Sequence, residues 1–452
     1  MARKDNLFSF GINQSSLNAM LSWTKERIVL GPDPISGAKT ASYLDRELGK
    51  SINEDGLGWE KAFELFKNII VPSTRPFDHP TSLSFVAAAP TPAALSFDAV
   101  LGAAEIFAGN WDGGSGAIHA ENQALSWLAS LAGWSSKKAG GVFVSGGTLG
   151  NLSALHAART AYRKKNPDSL DRLAVLCSTE AHSSIDAISR VMDFEIVRVS
   201  SDHFGRINAN QAASTLKKSN EIFAIVANAG ATNSGAIDDI NALADLAKAN
   251  DIWLHVDGAY GLAALADPES SYLFNGLKYA DSFIVDPHKW LFAPYDSCAL
   301  LYSNAVRGAE AHGQKSDYLD IVDKTAWNPS DFALHLTRRP RGLPMWFSLA
   351  VYGSRNYAKA IRQTLKIANQ IADGITKTKN LELILGPQLS VVLFRSLKLS
   401  KSELYDWSET HRRDGSLLCL PTVWKGETVL RICVVNPDTD AEKVLDVLRT
   451  LA

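Results

Sequence analysis

The chain contains little cysteine. Its 452 residues include four cysteines, which lack both the spacing of a metal site and the density of a disulfide framework: Cys177, Cys298, Cys419 and Cys433. All but Cys419 fall in apolar, strand-like runs, which favours buried thiols. We therefore expect a cytoplasmic protein with no disulfide and no metal.

Long apolar runs and an excess of one charge are missing too. No run approaches the roughly 18 apolar residues that span a bilayer, and no apolar stretch follows the first residues as in a secretory signal. The formal net charge is −2, and the basic residues are spread along the chain. We expect neither a membrane nor a nucleic acid as partner.

Length and composition suit a globular protein of two or three domains, with 46% hydrophobic and 21% charged residues. Residues 1–75 carry helical patterns, residues 76–344 alternate strand and helix patterns, and residues 345–452 begin with a helical pattern. The alternation predicts an α/β protein with a mainly parallel sheet. The small last part has strand-like runs at 389–394 and 429–435, which predicts an α+β domain. The predicted strands of the sheet are 142–144, 173–177, 194–199, 222–227, 252–256, 283–285 and 299–302.

The most informative segment is Asp286-Pro-His-Lys289-Trp, which follows the apolar run 282–285. Pro287 ends the predicted strand, so Lys289 lies at a strand exit, where open α/β sheets place their ligands. Burial and the neighbouring cation His288 predict a lowered pKa for Lys289, which would let its amine attack a carbonyl group. A surface lysine on a loop is the alternative.

A second strand-like run ends in His255-Val-Asp257-Gly-Ala259-Tyr, 32 positions before Lys289. Pyridoxal phosphate needs an amine for its aldehyde and an anion for its ring nitrogen. Asp257 and Lys289 could supply that pair from neighbouring strand ends. An aspartate after a strand is also common as a helix N-cap or turn residue.

Two further strand exits carry groups that suit the same cofactor. Ser145-Gly-Gly-Thr148-Leu-Gly-Asn151 opens a predicted helix and suits one phosphate group; its spacing matches neither a Walker loop nor a dinucleotide fingerprint. Ala181-His182-Ser-Ser follows another run, and the His182 ring could stack on a pyridine or cap a helix.

In order and spacing, these four motifs resemble those of the group II pyridoxal-phosphate-dependent amino-acid decarboxylases. Arg338-Arg-Pro-Arg341 and the segment after it resemble the aromatic-L-amino-acid decarboxylase branch. The resemblance implies fold type I, the aspartate-aminotransferase-like fold, with a seven-stranded sheet. It also implies a homodimer with active sites at the subunit interface. Residues 1–75 would clasp the second subunit, residues 76–344 would bind the cofactor, and residues 345–452 would form the small domain.

The resemblance also implies roles for individual residues. Lys289 would hold the cofactor, Asp257 would keep its ring nitrogen protonated, and His182 would stack on the ring. The remaining matched cofactor contacts are Gly147, Thr148, Thr232, Ala259 and His288.

The implied reaction is decarboxylation of an L-amino acid to an amine and carbon dioxide. Phe85 and Val86 lie in a segment that resembles the family's substrate-pocket strand. Because an apolar wall disfavours a charged side chain, we expect an aromatic or apolar substrate. The alternatives are an aldehyde synthase, a decarboxylase of an acidic amino acid, and a non-catalytic binding protein that retains the fold.

The family usually takes the acid that protonates the product carbon from a loop tyrosine. Counting back from Arg338 puts that position at Pro329, and a shifted alignment puts it near Phe332. Members with phenylalanine there resemble aldehyde synthases. Tyr318 is the only tyrosine between residues 312 and 335, and it is the candidate acid.

If Tyr318 is the acid, Tyr318→Phe should leave carbon dioxide release partly intact and divert product from amine to aldehyde, ammonia and peroxide. The reason is that protonation of the decarboxylated carbon then becomes slower, so that oxygen can react with this carbon first. Parallel assays of amine and peroxide check this, and an unchanged product ratio would make Tyr318 an ordinary loop residue.

Overall fold

The computed structural model describes residues 11–32, 37–168, 172–218, 221–313 and 326–452. Its centre is a seven-stranded sheet with the strand order β1-β7-β6-β5-β4-β2-β3. The strands are β1 (Gly140–Val144), β2 (Ala174–Ser178), β3 (Glu195–Val199), β4 (Ile222–Asn228), β5 (Trp253–Asp257), β6 (Ser282–Val285) and β7 (Cys298–Tyr302). Only β7 runs antiparallel to its neighbours. The predicted seven-stranded, mainly parallel sheet is confirmed, and each predicted run lies within two residues of its strand.

The α-helices of the described residues surround this sheet and a second, smaller one. They are α1 (Gln14–Leu30), α2 (Ala41–Leu48), α3 (Trp59–Leu65), α4 (Pro92–Ala104), α5 (Trp111–Leu131), α6 (Gly147–Lys165), α7 (Ser184–Met192), α8 (Ala209–Leu216), α9 (Ile240–Ala249), α10 (Pro287–Trp290), α11 (Ala305–His312), α12 (Leu343–Tyr352), α13 (Ser354–Lys377), α14 (Lys401–Asp414) and α15 (Ala441–Leu448).

The central strands are mainly apolar because helices cover both faces of the sheet. Every residue of β2, β4 and β5 is buried. Apolar residues of α6 and α7 pack on one face, and those of α5 and α9 pack on the other. Polar side chains are therefore concentrated where these strands stop, and the site lies there.

The C-terminal part forms a four-stranded antiparallel sheet with the order β10-β11-β9-β8. Its strands are β8 (Leu381–Gln388), β9 (Val391–Ser396), β10 (Pro421–Trp424) and β11 (Glu427–Cys433), and α13 and α15 pack against it. The predicted small α+β domain is confirmed, but the prediction of two strands missed β8 and β10. Both are half-exposed edge strands, so they lack the continuous apolar pattern that marks β9 and β11.

The division of the chain at residues 75 and 344 stays a prediction, and residue 344 lies in the first turn of α12. Within the described ranges, no helix combines the length and the apolar composition that crossing a bilayer requires.

Three histidines are held in the interior in their neutral form. Burial lowers the pKa of His255 and of His312 to about 4. The pKa of His335 falls to about 3 because of burial and the nearby positive charges of Arg338 and Arg341. Unfolding exposes these rings to water, where their ordinary pKa is about 6.5.

These histidines should make the fold less stable as the pH falls. A group whose pKa is lower in the folded state binds a proton on unfolding. The stability is therefore complete above about pH 7 and declines from pH 6.5 towards pH 4. His312→Gln keeps a side-chain N–H for the Ser153 carbonyl, 3.0 Å from His312 Nε2, and removes the titration. Between pH 7.5 and 5.0, the variant should lose about 2 kcal/mol less stability than the parent.

Urea unfolding at the two pH values measures this difference. The matched control is His203→Gln, which makes the same substitution at a histidine that is exposed to water. Equal pH dependence of His312→Gln and the parent would contradict the assignment of His312 as a buried neutral ring.

Candidate active site

The ends of three parallel strands meet at one edge of the large sheet. Asn228, the last residue of β4, pairs in register with Asp257, the last residue of β5, and Asp257 pairs with Ile284 in β6. Asp286 follows β6 directly. A cavity of about 230 Å³ opens at this edge. Its lining includes eight residues that the motifs predicted: Gly147, Thr148, His182, Thr232, Asp257, Ala259, His288 and Lys289.

Lys289 lies on α10, directly after β6, and its Nζ is 2.9 Å from Asp286 Oδ2. Burial alone would lower the pKa of Lys289, but the negative charge and hydrogen bond of Asp286, with the charge of Asp257, raise it above its ordinary value. The prediction of a lowered pKa is therefore wrong. His288 is not the expected cation either, because burial lowers the pKa of its own ring.

Asp257 is held by two hydrogen bonds at the end of β5. Its Oδ2 accepts from Asn151 Nδ2 at 2.8 Å, and its Oδ1 accepts from the backbone N–H of Ala259 at 3.2 Å. It does not cap a helix, since the next helical turn begins only at Gly261. The carboxylate is thus fixed at the cavity wall and free to face a ligand.

The glycine-rich motif forms the N-terminus of α6, as expected. Its cap residue Gly146 offers no side chain, and the first N–H groups of a helix have no partner inside it. A Cβ at Gly147 would lie 3.2 Å from Ile284 and 3.3 Å from Asp286 Oδ2, so a larger residue would crowd the cavity. An anion such as a phosphate group suits this helix end.

Both cavity histidines have one ring nitrogen engaged by the backbone. His182 Nδ1 accepts the N–H of Ser184 at 3.1 Å, and His288 Nδ1 accepts the N–H of Ser297 at 3.0 Å. In each neutral ring the proton therefore lies on Nε2. Each histidine offers the cavity an N–H donor on a ring of fixed orientation.

The cavity fits pyridoxal phosphate by its polar groups. Among the described residues, the buried atoms Asp286 Oδ1 and Asn228 Nδ2 have no hydrogen-bond partner, and a buried polar atom without one is costly unless a ligand supplies it. Beside these atoms, the Lys289 amine suits the aldehyde of the cofactor and the Asp257 carboxylate suits its ring nitrogen. The N-terminus of α6 suits its phosphate.

Several predicted site residues lie elsewhere. Phe85 is 52% exposed, Val86 packs against the core of the large sheet, and neither lines the cavity. Their segment is not a strand; it forms a single bridge, from Ser82 to Leu418. Phe332 is buried against Trp327, with ring centroids 4.2 Å apart, and does not line the cavity.

Tyr318 lies outside the described residues. Sequence reasoning gave no role to several cavity residues that the structure reveals: Asn151, Glu180, Asn228, Tyr260 and Asp286. Asn151, Tyr260 and Asp286 stand inside the recognised motifs. Asn228 follows a predicted strand, which is the signal that identified Asp257.

Comparisons with known proteins agree with this geometry. The family model of the pyridoxal-dependent decarboxylase conserved domain matches residues 42–397. An aromatic-L-amino-acid decarboxylase of Bacillus atrophaeus is 31% identical, with 92% of this chain and 89% of that protein covered. An L-2,4-diaminobutyrate decarboxylase of Rhizobium meliloti is 30% identical, with 82% and 77% covered. The solved structure of Oryza sativa TDC with PLP and tryptamine superposes with a TM-score of 0.90 at 21% identity, covering 98% of both chains.

Asp286→Asn should let Lys289 react with pyridoxal phosphate at lower pH. Removing the charge at 2.9 Å takes away the main attraction that keeps the amine protonated, and only the neutral amine attacks an aldehyde. Borohydride trapping followed by mass spectrometry gives the rate of attachment against pH. The control is Asp186→Asn, which breaks the Arg198 ion pair at the edge of the sheet and should leave the profile unchanged. An unshifted profile in Asp286→Asn would rule out Asp286 as the controlling charge.

Proposed function

This chain belongs to the pyridoxal-dependent decarboxylase family, and we propose that it decarboxylates an L-amino acid with an aromatic or other apolar side chain. It is a pyridoxal-phosphate-dependent amino-acid decarboxylase, which releases carbon dioxide and forms an amine. The observation that carries the proposal is the convergence of Lys289, Asp257 and the N-terminus of α6 in one cavity. The aromatic-L-amino-acid decarboxylase of Bacillus atrophaeus supports the choice of substrate.

The cavity residues divide the work of holding the cofactor. When bound, pyridoxal phosphate supplies an aldehyde for the substrate amine and a ring that withdraws the electron pair left by carbon dioxide. Lys289 would bind the aldehyde, and Asp257 would hold a proton on the ring nitrogen. The ring would lie between His182 and Ala259, with Thr232 as a further contact.

The phosphate group of the cofactor would bind at the N-terminus of α6. The N–H groups of Gly147 and Thr148, the Thr148 hydroxyl and the His288 ring would donate hydrogen bonds to it. We retain Tyr318 as the proposed acid for the product carbon.

A second candidate substrate is an amino acid with a short cationic side chain. Glu180 lines the cavity; burial raises its pKa, and the positive charge of Lys425 works against that rise. A carboxylate there would attract an ammonium group and repel an acidic substrate. The L-2,4-diaminobutyrate decarboxylase relative supports this candidate. Glu180 makes an acidic amino acid a less suitable substrate.

A homodimer with the active site at the subunit interface is also proposed. Leu21, Val29 and Leu30 of α1 are 60–81% exposed, and a second subunit held by this segment would cover such apolar side chains. Light scattering should give twice the chain mass of 49.0 kDa. A cytoplasmic location is proposed from the four buried free thiols, which a reducing compartment maintains.

The decisive experiment is a screen of the twenty amino acids and L-2,4-diaminobutyrate for carbon dioxide release, with amine, aldehyde and peroxide assayed together. We expect turnover of an aromatic amino acid to its amine. Lys289→Ala should slow turnover by about three orders of magnitude or more, whereas Lys248→Ala on the exposed face of α9 should match the parent. Aldehyde with peroxide from the parent would favour a synthase, and release only from diaminobutyrate would favour the second candidate.

A further inference from the structure

A continuous chain of hydrogen bonds runs from Asp257 away from the cavity. Asn151 Nδ2 lies 2.8 Å from Asp257 Oδ2, and Asn151 Oδ1 lies 2.8 Å from His255 Nε2. His255 Nδ1 is 2.8 Å from Ser282 Oγ, which accepts from Trp253 Nε1 at 2.8 Å. These residues come from α6, β5 and β6, and all are at most 9% exposed.

The Asp257 carboxylate sets the donor-to-acceptor direction of every hydrogen bond in this series. A carboxylate only accepts hydrogen bonds, so Asn151 must turn its NH₂ group to Asp257 and its oxygen to His255. His255 must then carry its proton on Nε2. Because burial lowers the pKa of His255 to about 4, Nδ1 is unprotonated at neutral pH and accepts from the Ser282 hydroxyl.

The amide of Asn151 has little freedom to rotate. Its second N–H is donated to Ser184 Oγ at 3.1 Å, and Ser184 is buried as well. Rotation would set the amide oxygen against the Asp257 carboxylate and the NH₂ group against the His255 N–H. Protonation of Asp257 on Oδ2 would therefore require Asn151 and His255 to reverse together.

We propose that Asn151 and His255 are positioning residues for the reaction, which hold the Asp257 carboxylate in one orientation so that the cofactor's ring nitrogen retains its proton. This inference rests on the role of Asp257 given under the proposed function. Asn151 acts on Asp257 directly, and His255 acts through Asn151 by holding the amide in one orientation.

The test uses holoenzyme loaded with pyridoxal phosphate that carries ¹⁵N at the ring nitrogen. The ¹⁵N chemical shift against pH reports ring protonation, and equilibrium dialysis reports cofactor affinity. Asn151→Leu has similar volume and no donor, so the cofactor dissociation constant should rise roughly tenfold and the titration midpoint should fall by about one pH unit. His255→Leu should move both quantities in the same direction.

His255→Gln is the conservative variant. A glutamine amide can donate towards Asn151 and accept from Ser282, as the neutral ring does, so affinity should return to within about twofold of the parent. Ser282→Ala removes one hydroxyl with little volume, and it should shift the midpoint the same way if a leucine variant fails to fold. Ser408→Ala, which deletes the buried bond to the Cys419 carbonyl in the C-terminal domain, controls for lost stability.

Three results would overturn the inference. If Asn151→Leu, His255→Leu and Ser282→Ala destabilise the protein like Ser408→Ala but leave the ¹⁵N midpoint unchanged, these residues are only structural. If Asp257→Asn itself leaves the ring nitrogen protonated, the role of Asp257 fails and the inference fails with it. A midpoint shift in Asp257→Asn without one in the other variants would refute the inference alone.

Discussion

The parallel pairing of β4, β5 and β6 is the constraint on which the site depends. Helices cover both faces of the sheet, so these strands are buried and mainly apolar, and His255 and Ser282 are the polar residues inside β5 and β6. Their register brings Asn228 beside Asp257 at one edge, with Asp286 directly after β6. Polar groups from distant parts of the chain meet there because each stands at or just after the end of its buried strand. The glycine-rich N-terminus of α6 also lies at this edge. It follows β1, which β7 separates from β6.

Burial then decides the chemical state of these groups. A buried charge is costly unless an opposite charge lies beside it, and Asp286 is the opposite charge beside Lys289. The same burial lowers the pKa of His255 and His288, and backbone N–H groups set the proton position of His182 and His288. The site thus combines one charged pair with neutral rings of defined tautomer, a suitable setting for controlling protons on a bound ring.

The C-terminal sheet also supports the site, although it contributes none of the cavity residues. Ser390, in the turn between β8 and β9, hydrogen-bonds the hydroxyl of Tyr260, a cavity residue. Arg431 of β11 donates to the Phe85 carbonyl at 2.9 Å, and the neighbouring Cys433 donates its N–H to Leu83 at 2.9 Å. The small domain therefore anchors both the turn after β5 and the segment that precedes Phe85.

The sequence by itself determined the large sheet and the residues that meet at its edge. Continuous apolar runs mark strands buried on both faces, and the motifs at their exits place Lys289, Asp257 and His182 in one cavity. Only the tertiary structure decided the raised pKa of Lys289, the position of Phe85 outside the cavity, and the half-exposed strands β8 and β10. It also decided the hydrogen-bond chain behind Asp257, which joins Asn151 to residues about a hundred positions away. Local patterns record whether a residue is buried, whereas charge states and hydrogen-bond partners depend on neighbours that only folding brings together.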